Sequence, residues 1–105
     1  LFLAGYLHRD ISIGNVLRRR EPQNRINRFA FMNNVLDSCS GFLIDSDTAI
    51  KWRSCKYAQS AHRRFYGTRQ FTSRRLLFMW EYSKEPVVHT IFDDLESFAW
   101  LGLWI

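Results

Sequence analysis

The stretch Leu7 to Asn15, LHRDISIGN, brings an imidazole, a guanidinium, a carboxylate and a carboxamide close together, with Asn15 five positions after Asp10. Groups of these types can hold a proton, meet an anion and offer hard oxygen atoms to a divalent cation. The same types also make an ordinary polar surface loop. A second carboxylate arrives in GFLIDSD, where an apolar run after Gly41 ends at Asp45. That pattern reads as a buried strand delivering an acid at its end, although an acid there can equally serve as a cap. Cys39 and Cys55 form no Cys-x-x-Cys pair, and a zinc site would have to recruit His8, His62 and His89 at irregular spacing. Two reduced thiols of an intracellular protein, cytoplasmic or nuclear, fit this cysteine usage better than a metal site.

The elements that would carry these groups can be read along the chain. Leu1 to Leu7 is expected to be the last turns of an apolar helix. The polar stretch that follows, interrupted by Gly14, is a loop, and Val16–Leu17 suits a short strand. Arg18 to Ser40 is polar and basic at its start and broken by Pro22, so it reads as an exposed insertion. Lys51 to Phe71 is basic and aromatic without a clean period and is expected to be a long loop. Arg74 to Tyr82 is a helical stretch ended by Glu85–Pro86. Thr90 to Ile105 is a second helix, with Thr90 and Asp93 as a capping box and two acids in its first turn. Beyond Ser97 that helix, FAWLGLWI, is apolar on every side and belongs inside a larger domain.

The bulk numbers bound the rest. At 105 residues, the chain is one small domain at most. A hydrophobic fraction of 47% with 24% charged residues is that of a folded protein, not a disordered one. A net charge of +5 suits an acidic or phosphorylated partner or a plain solvated surface. A nucleic-acid role would rest on charge and aromatics alone, without a recognised motif. The apolar runs LFLAGYL and FAWLGLWI are too short to span a bilayer, which takes about 20 residues. They stand at the two ends, where chains are usually polar, so the expectation is a piece of a longer chain.

Four ordered fragments, HRDISIGN, GFLIDSDTA, GTRQF and DDLESFAWLGLW, resemble the C-terminal lobe of a eukaryotic protein kinase, and most closely the fungal-type protein kinase family. The DDLES segment is also similar to casein kinase I. The resemblance implies an α+β, mainly helical fold: the end of helix E, the catalytic loop, short strands, the activation segment and helix F. It implies that residues 1–105 are a partial kinase domain without the N-terminal lobe and the last helices, with an insertion at 18–40.

It also implies roles. Asp10 would hold the attacking hydroxyl and accept its proton. Asn15 and Asp45 would hold Mg²⁺ beside the phosphates of ATP, and the Thr68 hydroxyl would position the acceptor near Asp10. Asp94 would accept hydrogen bonds from the backbone at His8 and Arg9. Arg9 would pair with a phosphorylated residue of the activation segment, where Ser54, Tyr57 and Ser60 lie and Arg63 and Arg64 could assist. Three departures stand out. Ser12 sits where many kinases place a lysine near the transferred phosphate. Ser46–Asp47 replaces Phe-Gly after the metal-binding Asp. Arg75 occupies the end of a segment that should finish Ala-Pro-Glu, whose Glu would pair with an Arg lower in the lobe, so that anchor is expected to be rebuilt or lost.

The function implied is transfer of the ATP γ-phosphate to a serine or threonine hydroxyl of a protein. The chain contains no Gly-x-Gly-x-x-Gly and no lysine in a Val-Ala-Ile-Lys strand, so this piece alone is expected to be inactive. Two other readings share its features. Small-molecule kinases of the aminoglycoside and choline type carry a similar His-x-Asp loop and Ile-Asp strand end, but lack the GT and DDLES segments. A pseudokinase or regulatory piece is favoured by Ser46, Asp47 and Arg75.

Overall fold

The computed structural model describes residues 3–18, 41–63 and 66–105. It is a small α+β arrangement, as the motifs imply, in which two short antiparallel strand pairs and two α-helices surround the polar loop. Strand β1 is Tyr6–Leu7, β2 is Val16–Arg18, β3 is Gly41–Leu43 and β4 is Ile50–Lys51. Helix α1 is Arg74–Phe78, continued by a π-helical turn over Met79–Ser83, and helix α2 is Ile91–Trp104.

The first expected element is corrected. Leu3 to Leu7 is not the end of a helix: the chain turns at Gly5, whose φ is +91°, and Tyr6–Leu7 enters a strand. Tyr6 pairs with Lys51 and Leu7 with Ile50, and the Trp52 N–H extends the ladder to the Gly5 carbonyl at 3.0 Å. A left-handed φ is inexpensive only for glycine, and a short apolar run does not separate helix from strand by periodicity. Here the pairing partner decides.

Strands β2 and β3 pair through Val16↔Leu43, Leu17↔Phe42 and Arg18↔Gly41; β3 is not the buried strand expected, since Phe42 and Leu43 are only half-buried and the strand ends two residues before the exposed Asp45. The expected insertion at 18–40 lies outside the described residues from 19 onward, as do Cys39 and Arg64; its first residue, Arg18, closes β2 and faces Gly41. The 51–71 stretch is more ordered than a long loop. Its described residues include the second residue of β4, two short 3-10 turns at Ala58–Ser60 and Arg69–Phe71, and a bridge between His62 and Val87.

Helix α1 starts at Ser73, whose hydroxyl accepts the Leu76 N–H at 3.3 Å, while Glu96 of α2 accepts the Arg74 N–H at 2.9 Å. These acceptors satisfy donors that a helix start leaves without intrahelical partners. The π turn stops at Lys84, at φ +54°, whose N–H returns to the Met79 carbonyl at 2.8 Å. Helix α2 starts as its sequence suggests. The Asp93 carboxylate accepts from the Thr90 N–H at 2.7 Å and the Thr90 hydroxyl at 2.9 Å, closing the capping box.

Two apolar clusters hold the frame. Ile11, Phe71 and Leu101 pack together, with Val16, Leu43 and Trp100 against them. Leu76, Trp80 and Val87 form the other, with Tyr66 and Met79. Ile11 follows Asp10 directly and Phe71 lies three residues after Thr68. The first cluster therefore fixes both segments of the polar site to α2. The buried face of α2 runs Asp93, Asp94, Ser97, Leu101, which is helical spacing. Elsewhere on the helix Phe92, Leu95, Phe98, Leu103 and Trp104 are exposed.

Candidate active site

Asp10 stands at the centre of a convergent set of donors. Its Oδ1 accepts the Thr68 N–H at 2.9 Å and the Thr68 hydroxyl at 2.8 Å. Its Oδ2 accepts Asn15 Nδ2 at 3.1 Å, and the same amide nitrogen donates to the Asp10 carbonyl at 2.9 Å. An ionised carboxylate has roughly four lone-pair positions. Three protein donors leave one, on Oδ2. The close approach that allows this runs through Gly67, at φ +83°. A Cβ there would lie 3.1 Å from the Arg9 carbonyl oxygen and 3.5 Å from Asp10 Oδ1.

The loop before Asp10 is strained and held from outside. Arg9 has φ +69°, a left-handed conformation that costs a non-glycine residue about 1–2 kcal/mol. Asp94, buried in the first turn of α2, accepts the His8 N–H through Oδ2 at 2.7 Å and the Arg9 N–H through Oδ1 at 3.0 Å. Those contacts satisfy two backbone donors and the buried carboxylate at once. Arg9 Nε donates to the Thr48 carbonyl at 2.5 Å, its guanidinium lies 5.2 Å from the Tyr66 ring centroid, and Nη1 is buried without a hydrogen bond.

Asp45 follows directly from this packing. The Ile44 N–H donates to the Asn15 carbonyl at 2.9 Å, and the Ile44 carbonyl accepts His8 Nε2 at 3.0 Å. The Thr48 hydroxyl donates to the His8 carbonyl at 2.8 Å. The turn carrying Asp45 is thus fastened to the 8–15 loop on both of its sides. Asp45 itself is exposed and at φ +59°, so its backbone is bent out of the strand direction. Among the described residues no three His, Cys, Asp or Glu side chains are gathered around one metal position. Asn15 and Asp45 are therefore no closed cage. Their hard oxygens fit Mg²⁺, which keeps several positions for phosphate oxygens and water.

Other residues singled out in the sequence lie elsewhere. Ser12 is buried, and its carbonyl accepts the Asn15 N–H at 3.0 Å. The hydroxyls of Ser54, Tyr57 and Ser60 donate to the carbonyls of Lys51, His89 and Tyr57. Arg63 is exposed, and so is the free thiol of Cys55.

Arg75 forms an anchor of its own. Its guanidinium reaches Asp93 Oδ2 at 2.5 Å and Oδ1 at 3.2 Å, and it donates to the Val88 carbonyl at 2.9 Å. The Ser73 hydroxyl adds a 2.5 Å bond to Asp93 Oδ1. Burial alone pushes the Asp93 carboxyl up, but the Arg75, Ser73 and Thr90 hydrogen bonds outweigh it and hold the group below its usual range. The end of the 67–75 segment is thereby tied to the start of α2 with the charges arranged the other way round from the expected Glu–Arg pair. Sequence reading found Asp93 only as a cap. An ion pair joining residues 18 positions apart leaves no trace in a local pattern.

The sequence likewise offers His89 only as a poor zinc candidate. It is buried between Asp94 and Tyr66, with Nε2 2.8 Å from Asp94 Oδ1 and Nδ1 3.1 Å from the Tyr66 hydroxyl. No spacing signal marks it. Among the described residues no helix is long and apolar enough to cross a membrane.

The sequence model of the family described as fungal protein kinase matches residues 1–105, the whole chain. No curated protein and no solved structure matches it.

Proposed function

Because the chain belongs to the fungal protein kinase family, we propose that residues 1–105 carry the acceptor side of a phosphoryl-transfer site acting on serine or threonine hydroxyls of a protein. The single observation that supports this most is the occupation of Asp10. Thr68 takes both positions on Oδ1 and Asn15 takes one on Oδ2, so the carboxylate is aimed and one lone pair remains for an incoming hydroxyl. In this reading Asp10 holds the acceptor hydroxyl at Oδ2 and takes its proton as the oxygen attacks. Thr68 keeps Asp10 oriented and shapes the edge along which the acceptor lies. Asn15 and Asp45 would hold Mg²⁺, which would neutralise charge developing on the γ-phosphoryl group that ATP supplies. Ser12 is neutral and buried, so no cation from that position would meet the phosphate, and charge neutralisation would fall more heavily on the metal ions. The glycine loop and strand lysine that would cover ATP are not within residues 1–105.

A second reading, binding without transfer, is favoured by Ser46–Asp47, which stands where a kinase has Phe-Gly. The test is incubation of the intact protein with γ-labelled ATP and Mg²⁺ in parallel with a mixed protein acceptor, with amino alcohols and with aminoglycosides, followed by phosphoamino-acid analysis of the protein and recovery of labelled small molecules. Labelled phosphoserine or phosphothreonine is expected. Label on an amino alcohol or aminoglycoside instead would move the assignment to a small-molecule kinase. Nucleotide binding with no transfer would favour the pseudokinase reading.

A further inference from the structure

We infer that His89 is a positioning residue for the catalytic loop, holding the Asp94 carboxylate in register with the His8 and Arg9 N–H groups and tying it through Tyr66 to the segment that orients Asp10. The need arises from Arg9. Its left-handed backbone is sustained from outside, and both N–H groups of the turn go to a single carboxylate. The last torsion of an aspartate is broad, so two donors alone leave the carboxylate room to swing. The third bond, from His89 Nε2 to Oδ1 at 2.8 Å, closes that freedom. Both side chains are buried, so water does not substitute for the donor.

The ring is held from both of its nitrogens. Nε2 faces the Asp94 carboxylate, and Nδ1 shares a hydrogen bond with the Tyr66 hydroxyl at 3.1 Å. Burial, only partly offset by the nearby Arg9 charge, pushes the Tyr66 phenol up to about 12, so it stays a donor throughout the neutral range. The His89 backbone is fixed in turn, because the Tyr57 hydroxyl donates to its carbonyl at 2.7 Å.

The line of contacts does not end at Tyr66. The Arg9 guanidinium lies 5.2 Å from its ring centroid; the next residue, Gly67, leaves little room for a Cβ beside the Arg9 carbonyl, and Thr68 donates to Asp10. One imidazole therefore connects the two backbone segments that define the Asp10 geometry: the 8–10 turn through Asp94 and the 66–68 segment through Tyr66.

The inference rests on the kinase reading for its kinetic readout only. In the intact protein, His89→Leu keeps side-chain volume and removes both ring nitrogens, whereas His89→Gln keeps an N–H where Nε2 stood. With folding checked by thermal melt, His89→Leu is expected to lower kcat about tenfold with KM for ATP unchanged, and to speed amide exchange at His8 and Arg9 by a similar factor. His89→Gln is expected to restore most of both. Should His89→Leu fail to fold, Tyr66→Phe, which deletes one hydroxyl, is expected to give a loss of about threefold in the same two readouts. Wild-type kcat and exchange in His89→Leu, no change in either readout for Tyr66→Phe where that arm is used, or equal damage in His89→Gln and His89→Leu, would overturn the role. If the wild type transfers no phosphate, the kinase reading falls, and the exchange rates at His8 and Arg9 alone decide the positioning role.

Discussion

Arg75 Nη2 lies 2.5 Å from Asp93 Oδ2, joining the end of the 67–75 segment to the first turn of α2. The Asp93 side chain is 2% exposed and the Arg75 side chain 45%, so the carboxylate depends on its partners more than the guanidinium does. Arg75→Ala removes the largest of them and leaves Ser73 and Thr90. It is expected to cost about 1–3 kcal/mol, at the lower end for a buried charge because the arginine is half in water. Chemical denaturation of the intact protein measures it. A change within about 0.5 kcal/mol would mean the pair is ornamental.

Acidification should find the same carboxylate. Its folded value is held below the ordinary 3.8, so the unfolded state binds the proton first. Stability from Asp93 is therefore fully present above about pH 4 and lost as pH falls through the lowered folded value. Denaturation curves from neutrality to about pH 3 should show that loss, and Asp93→Asn should flatten it. An equal acid slope in both proteins would contradict the assignment.

Gly67 leaves little room for a side chain beside the 8–10 turn. Gly67→Ala adds a Cβ 3.1 Å from the Arg9 carbonyl oxygen and strains a φ of +83°. The expected cost is about 1–2 kcal/mol, together with a raised KM for the protein acceptor as Thr68 moves off Asp10. Gly102→Ala in α2 meets nothing within 4 Å and should be neutral or stabilising by about 0.5–1 kcal/mol. Similar melting temperatures for the two variants would show that the close approach is not maintained in solution.

These contacts differ in how far the sequence discloses them. The polar loop and the α2 start were readable because their signals are local: HRD with Asn five residues after the Asp, and Thr90 with Asp93 ahead of an apolar run. The run after Gly41 discloses a strand for the same reason, but not its end: β3 stops at Leu43, half-buried, and Asp45 lies in the exposed turn beyond it. Tyr6–Leu7 was misread as helix because two apolar residues fit either element, and only the distant partner Ile50–Lys51 makes them a strand. Arg75 looked like a broken anchor because its expected partner type was wrong. Its charge is reversed and so is that of the group it meets. His89 carries no signal, since its place between Tyr66 and Asp94 is assembled from two stretches, one at Tyr66 and one at His89–Asp94, and the contact between them is not local.

The hydroxyl of Thr68 should matter more than its bulk. Thr68→Val keeps the shape and deletes one bond to Asp10 Oδ1, with an expected loss of about tenfold in kcat/KM. Thr68→Ser should stay within about threefold. Equal activity of all three proteins would remove Thr68 from the site.

Asp45 is expected to set the metal requirement. Asp45→Asn should raise the Mg²⁺ concentration for half-maximal rate by about tenfold or more, and chelation should abolish transfer by the wild type. A magnesium dependence unchanged by Asp45→Asn would assign the metal to other residues.

The most direct measurement is the rate of γ-phosphate transfer from MgATP to a protein acceptor by the intact protein and by Asp10→Asn, which keeps size and the Thr68 contacts within reach but cannot take a proton. The wild type is expected to label serine or threonine, and Asp10→Asn to be slower by a factor of roughly 10²–10⁴ at unchanged ATP affinity. Equal rates for the two proteins would contradict a role for Asp10 in the chemistry.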